Sequence, residues 1–300
     1  MASSKITPPQ TVAFVGLGKM GMPMCRNLLK VGFSVHGVDL DKAMRDALED
    51  AGGTSFANLI GASKDAAVII TMLPDGNAVK AVLTGGDGVV DAIDPDVLII
   101  DMSSSAPAGT VALADQLAKR SITLIDAPVS GGVSRAIEGT LSIIAGGPAE
   151  AVERANPLFD AMGSQVFQTG PIGSGHAMKA LNNYLSATST VASCEALIVG
   201  HKFGLKPETM IDVLNASTGR NTATEGKMKQ QVISKKFASG FAIGLMAKDL
   251  TIAEGLAEHL ELNVPALEHM ASLWRKASEK LGPDADHTAV FKFLSKTDLD

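Results

Sequence analysis

The chain contains 300 residues, of which 46% are hydrophobic and 19% are charged, and its formal net charge is −6. This length can bury one large core or two smaller ones. The mildly acidic balance offers no basic surface for nucleic acid or for an anionic membrane. The 2 cysteines and 6 histidines follow no spacing typical of metal ligands. We therefore expect no nucleic-acid partner and no bound metal, and we expect Cys25 and Cys194 to be buried thiols.

No segment is convincing as a targeting signal or a membrane span. The first ten residues lack the apolar stretch of a secretory signal. The one long apolar stretch worth testing, residues 177–200, carries Lys179, Asn182, Asn183 and Glu195, which are costly inside a bilayer. We expect no membrane association and a cytoplasmic location.

Short apolar runs alternate with helical patterns through the first half of the chain. Residues 20–31, 107–119 and 149–162 show a helical apolar period. Strands that alternate with helices predict an α/β fold with a mostly parallel, doubly wound sheet. The strand candidates are TVAFVG from Thr11, SVHGVD from Ser34, VIITML from Val68, VLIID from Val97, TLID from Thr123 and LSIIAG from Leu141.

The pattern changes at the glycine-rich segment GPIGSG, residues 170–175. Beyond it only helical periodicity is evident, to about Leu294, and the first helix of this part is long, from near Gly175 to Phe203. The sequence therefore predicts a dinucleotide-binding domain over residues 1–172 and an all-helical domain over residues 173–300, joined by a long helix.

A glycine pattern after the first predicted strand indicates a dinucleotide site. Gly16, Gly18 and Gly21 form G-x-G-x-x-G between a strand and a helix, which is the context that this motif requires. The first glycine permits a tight turn, the second lets the backbone approach a pyrophosphate at the helix N-terminus, and the third lets the helix pack on the strand. We predict a Rossmann-type domain whose cofactor-binding turn comprises Gly16, Leu17, Gly18, Lys19, Met20 and Gly21.

Asp39 ends the second predicted strand, 39 − 21 = 18 residues after the last glycine of the motif. A carboxylate at this point is expected to bind the adenosine ribose hydroxyls and to repel a 2′-phosphate. We therefore predict NAD rather than NADP as the cofactor. Lys42 and Arg45 lie nearby and keep NADP open as the alternative, and a helix-capping role for Asp39 is a second alternative.

Two further strand ends point to the same cleft, because ligands of open α/β sheets lie beyond the carboxyl ends of the strands. Leu73 and Pro74 follow the third predicted strand and could line the adenosine or the ribose. Ser103 follows the fourth and could approach the nicotinamide. The alternative for this serine-rich segment is a helix cap before Pro107.

The segment DAPVSGG, residues 126–132, also follows a predicted strand. Ser130, Gly131 and Gly132 offer a hydroxyl and exposed backbone N–H groups, which suit a small carboxylate. A plain turn is the alternative interpretation.

The long helix carries a polar stripe. Lys179, Asn182, Asn183 and Ser186 are spaced i, i+3, i+4 and i+7, which places them on one helix face. The other positions of this helix are apolar or small, so we expect it to be buried on most sides, and a polar stripe on a buried helix is costly unless it lines a cavity or is fully paired. A lysine buried beside a cleft could have its pKa lowered toward neutrality and serve in proton transfer, whereas a solvated lysine at a helix start is the alternative.

Two other parts of the sequence carry charged or titratable residues, but they indicate a function less specifically. Lys248 and Asp249 lie in a second apolar helical pattern, either as a structural ion pair or with Lys248 directed to the cofactor or substrate. His176 has no evident carboxylate partner in the sequence, which favours a structural role.

Taken together, these segments resemble the β-hydroxyacid dehydrogenase family, which includes 3-hydroxyisobutyrate dehydrogenases and tartronate semialdehyde reductases. The resemblance covers nearly the whole chain, and several motifs in the family's order are more specific than any one of them. The motifs on which the resemblance rests are GLGKMGMPM from Gly16, DMSSSAP from Asp101, DAPVSGG from Asp126, GSGHAMKALNN from Gly173 and MAKDL from Met246.

The resemblance implies roles for individual residues. Lys179 corresponds to the lysine that donates or accepts the proton at the substrate oxygen, and Asn183 to the asparagine that orients the substrate. The family commonly has Ser-Thr where this chain has Ser103 and Ser104. The resemblance also implies a homodimer or homotetramer formed through the helical domains, a substrate-carboxylate loop of Ser130, Gly131 and Gly132, and cofactor contacts by Ser103 and Lys248.

The implied activity is hydride transfer between NAD and a small 3-hydroxy acid, 3-hydroxyisobutyrate-like or polyhydroxylated with three or four carbons, giving a semialdehyde or keto acid. Arg135 or Arg220 could bind a second anionic or hydroxylated end of the substrate, or both could simply face solvent. One alternative is an NADPH-dependent reductase of tartronate or succinic semialdehyde, which Asp39 disfavours. A non-catalytic nucleotide-sensing scaffold is another, but it has no chemical need for the polar stripe.

Overall fold

A computed structural model of the chain describes residues 4–85 and 89–295. The chain divides into two compact units, Met1–Lys179 and Ala180–Asp300. The division falls inside a helix of 30 residues, Ser174–Phe203.

The first unit is built on one sheet whose strand order is β3-β2-β1-β4-β5-β6-β8-β7, with β9 paired to β8. All pairings are parallel except those of β8 with β6 and β7. The strands are β1 (Thr11–Val15), β2 (Ser34–Val38), β3 (Thr54–Phe56), β4 (Ala66–Thr71), β5 (Leu98–Asp101), β6 (Thr123–Asp126), β7 (Val129–Ser130), β8 (Leu141–Gly146) and β9 (Gly163–Gly170).

Helices cover both faces of this sheet, and each face has its own apolar core. Along β1, Val12 and Phe14 belong to one core cluster, whereas Ala13 and Val15 belong to the other. This alternation follows from the two-residue period of a strand, and a strand buried on both faces is apolar throughout. The helices are α1 (Gly21–Lys30), α2 (Lys42–Asp50), α3 (Leu59–Ser63), α4 (Gly76–Thr84), α5 (Val89–Ala92), α6 (Pro107–Ala118), α7 (Gly132–Glu138) and α8 (Ala149–Met162).

The strand order reverses at β1. The chain runs outward from β1 through β2 to β3, then returns to β4 on the other side of β1. In open α/β sheets the carboxyl ends of the strands beside such a reversal form the ligand crevice. The segments that follow β1, β2, β4 and β5 therefore meet at this edge.

The second unit is helical. Within the described part of the chain it holds no strand, only the isolated bridge between Ala242 and Asp286. Its core surrounds Trp274, which is fully buried. Beyond α9 (Ser174–Phe203), the elements are α10 (Pro207–Asn215), α11 (Thr222–Gly226), a π-helical segment (Met228–Ile233), α12 (Ile243–His259), α13 (Pro265–Leu281), a 3₁₀ turn (His287–Ala289) and α14 (Val290–Leu294).

The structure confirms the predicted fold class, with its doubly wound sheet followed by a helical part, and each of the six predicted strands is present. It adds β3, β7 and β9, which the sequence analysis missed because β3 and β7 are short and β9 has few apolar residues. Cys25 and Cys194 are buried thiols, as predicted. None of the helices in the described residues is sufficiently long and apolar to cross a membrane.

The environment of α9 differs from the prediction of a helix buried on most sides. Its polar stripe is inward, since Lys179 and Asn183 are 9% and 6% exposed, but one of its apolar faces is open. Leu185, Val199 and Phe203 are 64%, 70% and 84% exposed in the single chain. At about 100° per residue these three residues lie within about 40° of one another around the helix, so they form an exposed apolar stripe on one side of it.

Candidate active site

The glycine turn between β1 and α1 has the shape that a pyrophosphate needs. Gly16 has a φ of +98°, and a Cβ there would lie 2.2 Å from the backbone oxygen of Met72. A Cβ on Gly21 would lie 1.8 Å from the backbone oxygen of Gly16, so this glycine permits the close packing of helix and strand. Gly18 has no atom within 4 Å of its Cβ position, and no side chain caps α1. The helix N–H groups can therefore receive an anion.

Asp39 lies beside this turn and is tied to it. Its Oδ2 accepts the N–H of Leu17 at 2.7 Å, and its Oδ1 accepts the N–H of Asp41 at 2.9 Å. A carboxylate has about four acceptor positions, so capacity remains for ribose hydroxyls. The alternative role as a helix cap is wrong, because the N-cap of α2 is Asp41.

The cations near Asp39 already have partners. Lys42 Nζ lies 2.7 Å from the carboxylate of Asp46. Arg45 donates from Nη1 to the backbone oxygens of Asp39 and Leu40, at 2.6 and 3.1 Å. These contacts hold Lys42 against Asp46 and place the guanidinium of Arg45 against the backbone at the end of β2.

Ser103 connects two loops at the edge of the sheet. Its Oγ accepts the N–H of Leu73 at 2.9 Å, and its own N–H donates to Asp101 Oδ1 at 3.0 Å. The residue is 2% exposed, and its two hydrogen bonds hold the loops after β4 and β5 together. The alternative of a serine cap on α6 is wrong, because Ala106 is the N-cap and makes no side-chain cap bond.

The predicted carboxylate loop leads from β7 into α7. Gly131 and Gly132 have φ values of +135° and +69°, which other residues rarely adopt, and both are exposed. A Cβ on Gly131 would lie 2.5 Å from Cδ of Arg135. The aliphatic stem of Arg135 therefore runs over the loop while its residue is exposed to solvent.

The other candidate arginine lies in the helical unit. Arg220 Nε donates to Glu225 Oε1 at 2.6 Å, and the two side chains are 65% and 44% exposed. Arg220 lies just before α11 and Glu225 lies within it, so the two side chains form an exposed ion pair at the start of this helix. Arg220 therefore has a charged partner within the helical unit.

The helical unit holds a buried polar group around Asn183. The amide Nδ2 of Asn183 donates to Asp249 Oδ2 at 2.5 Å, and Asn182 Nδ2 donates to Asn183 Oδ1 at 3.2 Å. Lys248 Nζ lies 3.3 Å from the second carboxylate oxygen of Asp249. The ion pair that the sequence offered as the alternative to a cofactor contact is therefore present, and its carboxylate also orients the amide of Asn183.

His176, expected to lack a carboxylate partner, in fact lies between two. Its Nε2 is 3.6 Å from Asp101 Oδ2 and its Nδ1 is 3.8 Å from Asp126 Oδ2, and all three residues are buried. Asp101 and Asp126 end adjacent strands in register. The missed signal was an aspartate at the end of two consecutive buried strands, a position where a carboxylate must find donors.

Comparisons with known proteins cover nearly the whole chain. Residues 11–170 match the NAD-binding domain of 6-phosphogluconate dehydrogenase, and residues 173–294 match the NAD-binding domain of NADP-dependent 3-hydroxyisobutyrate dehydrogenase. The NAD-dependent L-serine dehydrogenase of Pseudomonas aeruginosa is 35% identical, with 95% of this chain and 98% of that protein covered.

Two further similarities span most of both chains. The 2-(hydroxymethyl)glutarate dehydrogenase of Eubacterium barkeri is 39% identical over 85% of this chain and 84% of its own length. The structure of Mycobacterium tuberculosis 3-hydroxyisobutyrate dehydrogenase with L-serine has a TM-score of 0.88 at 31% identity, covering 95% of this chain and 99% of the other. The chain belongs to the β-hydroxyacid dehydrogenase family, and it is an oxidoreductase that oxidises small hydroxy acids with a nicotinamide dinucleotide.

Proposed function

We propose that this protein oxidises a small 3-hydroxy acid with NAD+, and that Lys179 accepts the hydroxyl proton. The observation that carries the proposal is Lys179 itself, a lysine residue only 9% exposed on a helix whose next turn presents the buried Asn183 on the same face. Proton transfer by a positioned side chain is worth about 10²–10⁴-fold in rate.

Each of the proposed site residues has a separate role in binding or in proton transfer. Ser130, Gly131 and Gly132 would hold the substrate carboxylate through a hydroxyl and exposed N–H groups. Lys179 would take the hydroxyl proton while the carbon-bound hydrogen leaves as hydride, so that one C–H and one O–H bond break and one C=O bond forms. Asn183, held by Asp249, would orient the substrate oxygen. Bound NAD+ supplies the hydride acceptor.

The cofactor preference for NAD rests on Asp39. Its carboxylate stands at the end of β2, where it would bind ribose hydroxyls and repel a 2′-phosphate. The engagement of Lys42 and Arg45 with other groups supports the same choice. We propose Leu73, Pro74, Ser103 and Lys248 as further cofactor contacts.

We further propose a domain boundary between residues 172 and 173 and a cytoplasmic location.

Arg135 favours a substrate with a second anionic group. Its stem lies against Gly131 in the proposed carboxylate loop, whereas Arg220 is paired with Glu225. A relative named for 2-(hydroxymethyl)glutarate acts on a dicarboxylic hydroxy acid. A second carboxylate or a sulfonate within reach of Arg135 would form a charge-assisted hydrogen bond.

We also propose a homodimer or homotetramer whose interface includes the exposed apolar stripe of α9. Leu185, Val199 and Phe203 would be buried against a second copy of the chain, because exposed apolar surfaces of this kind mark association sites. Size-exclusion chromatography with light scattering would test this, and a monomer at micromolar concentration would contradict it.

The deciding experiment follows reduced-cofactor absorbance with NAD+ and NADP+ offered separately. The acids to offer are 3-hydroxyisobutyrate, L-serine, glycerate, threonate, 4-hydroxybutyrate, 2-(hydroxymethyl)glutarate and a sulfonated analogue. Turnover of one acid with NAD+ is the expected result. Turnover mainly with NADP+ would contradict the cofactor assignment, and NADH binding without turnover of any acid would favour a scaffold role.

A further inference from the structure

A buried polar cluster lies where β5 and β6 end. Asp101 and Asp126 are paired in register, and they are 2% and 0% exposed. Asp101 accepts hydrogen bonds from the hydroxyls of Thr71 and Ser105 at 2.9 and 2.8 Å. Asp126 instead accepts hydrogen bonds from backbone N–H groups at the start of α9, so the two carboxylates have different donors although His176 lies near both.

Asp126 holds the first turn of α9. Its Oδ1 accepts the N–H of Gly173 and its Oδ2 accepts the N–H of His176, both at 2.7 Å. The first N–H groups of a helix have no partner within the helix, and a negative charge there is favourable. A Cβ on Gly175 would lie 2.3 Å from the backbone oxygen of Ile144, so glycine is what allows this close approach to the sheet.

The side chain of His176 connects the same turn to two other elements through hydrogen bonds of its ring nitrogens. Its Nε2 lies 3.1 Å from the backbone oxygen of Ser103, and since a carbonyl only accepts, this nitrogen carries the proton. Its Nδ1 lies 2.8 Å from the hydroxyl of Thr110 on α6. The ring therefore joins α9 to the loop after β5 and to the helix that follows it.

We propose that Asp126, His176 and Thr110 form a positioning clamp that holds Lys179 at a fixed place relative to the loop of Ser103. This inference rests on the proposed function of Lys179. Lys179 follows His176 by one helical turn, so the backbone bonds of Asp126 and the ring bonds of His176 together set both the position and the rotation of its helix. Misplacing a reacting group by about 1 Å can cost 10²-fold in rate.

The test removes one bond of the clamp without touching the proposed substrate or cofactor contacts. Thr110→Val keeps the shape of the side chain and removes the hydroxyl that bonds His176, while Thr110→Ser restores that hydroxyl. We expect Thr110→Val to lower kcat by about 10- to 100-fold, with NADH affinity within about twofold, and we expect Thr110→Ser to recover most of the loss.

A second measurement does not require turnover. Competitive acetylation with trace acetic anhydride, read by mass spectrometry across pH, compares the reactivity of Lys179 with that of exposed Lys202 and Lys5. We expect the pH profile of Lys179 alone to move in Thr110→Val and to return in Thr110→Ser. A purely structural cluster would lower the melting temperature and leave this profile unchanged.

The outcomes separate the clamp from the proposed function. A folded Thr110→Val protein with wild-type kcat and a wild-type Lys179 profile would overturn the clamp. If the wild type oxidises none of the acids, the proposed function fails, yet the acetylation profiles still decide whether Thr110 and His176 control the amine. Should Thr110→Val not fold, Thr110→Ala takes its place with the same expected and overturning results.

Discussion

The amide of Asn183 donates a 2.5 Å hydrogen bond to the carboxylate of Asp249, 66 residues along the chain, and both side chains are buried. The same carboxylate lies 3.3 Å from Lys248 Nζ. One aspartate therefore sets the orientation of an amide and the position of an amine, the two groups of the helical unit that we propose to contact substrate and cofactor.

Replacing this carboxylate tests its orienting role. Asp249→Asn keeps the shape but removes the charge, so Asn183 loses a charge-assisted acceptor worth about 1.5–3 kcal/mol. We expect the KM for the hydroxy acid to rise about 10- to 100-fold, and we expect NADH affinity to weaken as well, because Lys248 loses its charged partner. Glu254→Gln, which alters a carboxylate paired with Arg275 on the same helix, is the control and should leave KM unchanged. An unchanged KM in Asp249→Asn would show that Asn183 does not need this partner.

Lys179 is tested with two substitutions that separate charge from proton transfer. Lys179→Ala removes the amine, whereas Lys179→Arg keeps a positive charge that does not deprotonate. We expect both variants to lose about 10²–10⁴-fold in kcat, because neither accepts a proton, and to bind NADH normally. Lys202→Ala, at the other end of α9, serves as the control. If Lys179→Arg turned over at a rate close to the wild type, proton transfer by Lys179 would be ruled out.

Cofactor choice is tested at Asp39. Asp39→Asn retains an acceptor for the N–H of Leu17 but removes the charge that repels a 2′-phosphate. We expect the ratio of kcat/KM for NAD+ to that for NADP+ to fall by about 10- to 100-fold, the range of one or two charge-assisted hydrogen bonds. Asp41→Asn, two residues away at the cap of α2, should leave the ratio near the wild-type value. Equal ratios for all three proteins would remove Asp39 from cofactor selection.

We expect substitutions of the two candidate arginines to differ in their effect on KM. Arg135→Gln should raise KM for 2-(hydroxymethyl)glutarate about 10-fold or more and leave KM for 3-hydroxyisobutyrate unchanged, because only the first acid carries a second carboxylate. Arg220→Gln should change neither value, since its guanidinium is paired with Glu225. Steady-state kinetics with both acids decides between them. Loss of dicarboxylate affinity in Arg220→Gln alone would reverse the assignment.

The lowered pKa of His287 makes the stability of the helical unit depend on pH. Burial, together with the smaller effect of the nearby Lys227, lowers the pKa of His287 from 6.5 to about 4, against the opposing effects of Asp286 and the backbone of Phe241. Between these two values the unfolded chain binds a proton that the folded chain does not. The stabilisation is therefore complete above about pH 6.5 and is lost as the pH falls toward 4. We expect a loss of about 2 kcal/mol in the free energy of unfolding between pH 7.5 and 5.

The expected loss in the free energy of unfolding can be followed by the fluorescence of the single tryptophan, because Trp274 stacks on His287 with 6.5 Å between ring centroids. Urea unfolding followed by its fluorescence should show the loss in the wild type and a much smaller loss in His287→Asn. His259→Asn, at an exposed position on α12, should behave as the wild type does. An equal pH dependence in all three would contradict the role of His287.

The features that local chemistry determines were readable from the sequence. The glycine turn from Gly16 to Gly21, Asp39 at the end of β2 and the length of α9 all follow from backbone requirements and periodicity within about twenty residues. The two-part fold follows from the change of period near Gly170. Arg135 and Arg220, by contrast, were equivalent in the sequence, since exposure and ion pairing depend on neighbours that only the folded chain supplies.

Tertiary structure alone decided the partners of the buried polar groups. His176 meets Asp101 and Asp126 because β5 and β6 are adjacent in register, and Asn183 meets Asp249 because α9 and α12 carry them to the same place. No local pattern encodes such pairs, since each depends on which distant elements pack together and on the rotamers that they allow. The short strands β3 and β7 were missed for a related reason: their few residues are too short for a strand period, and pairing with neighbours defines them.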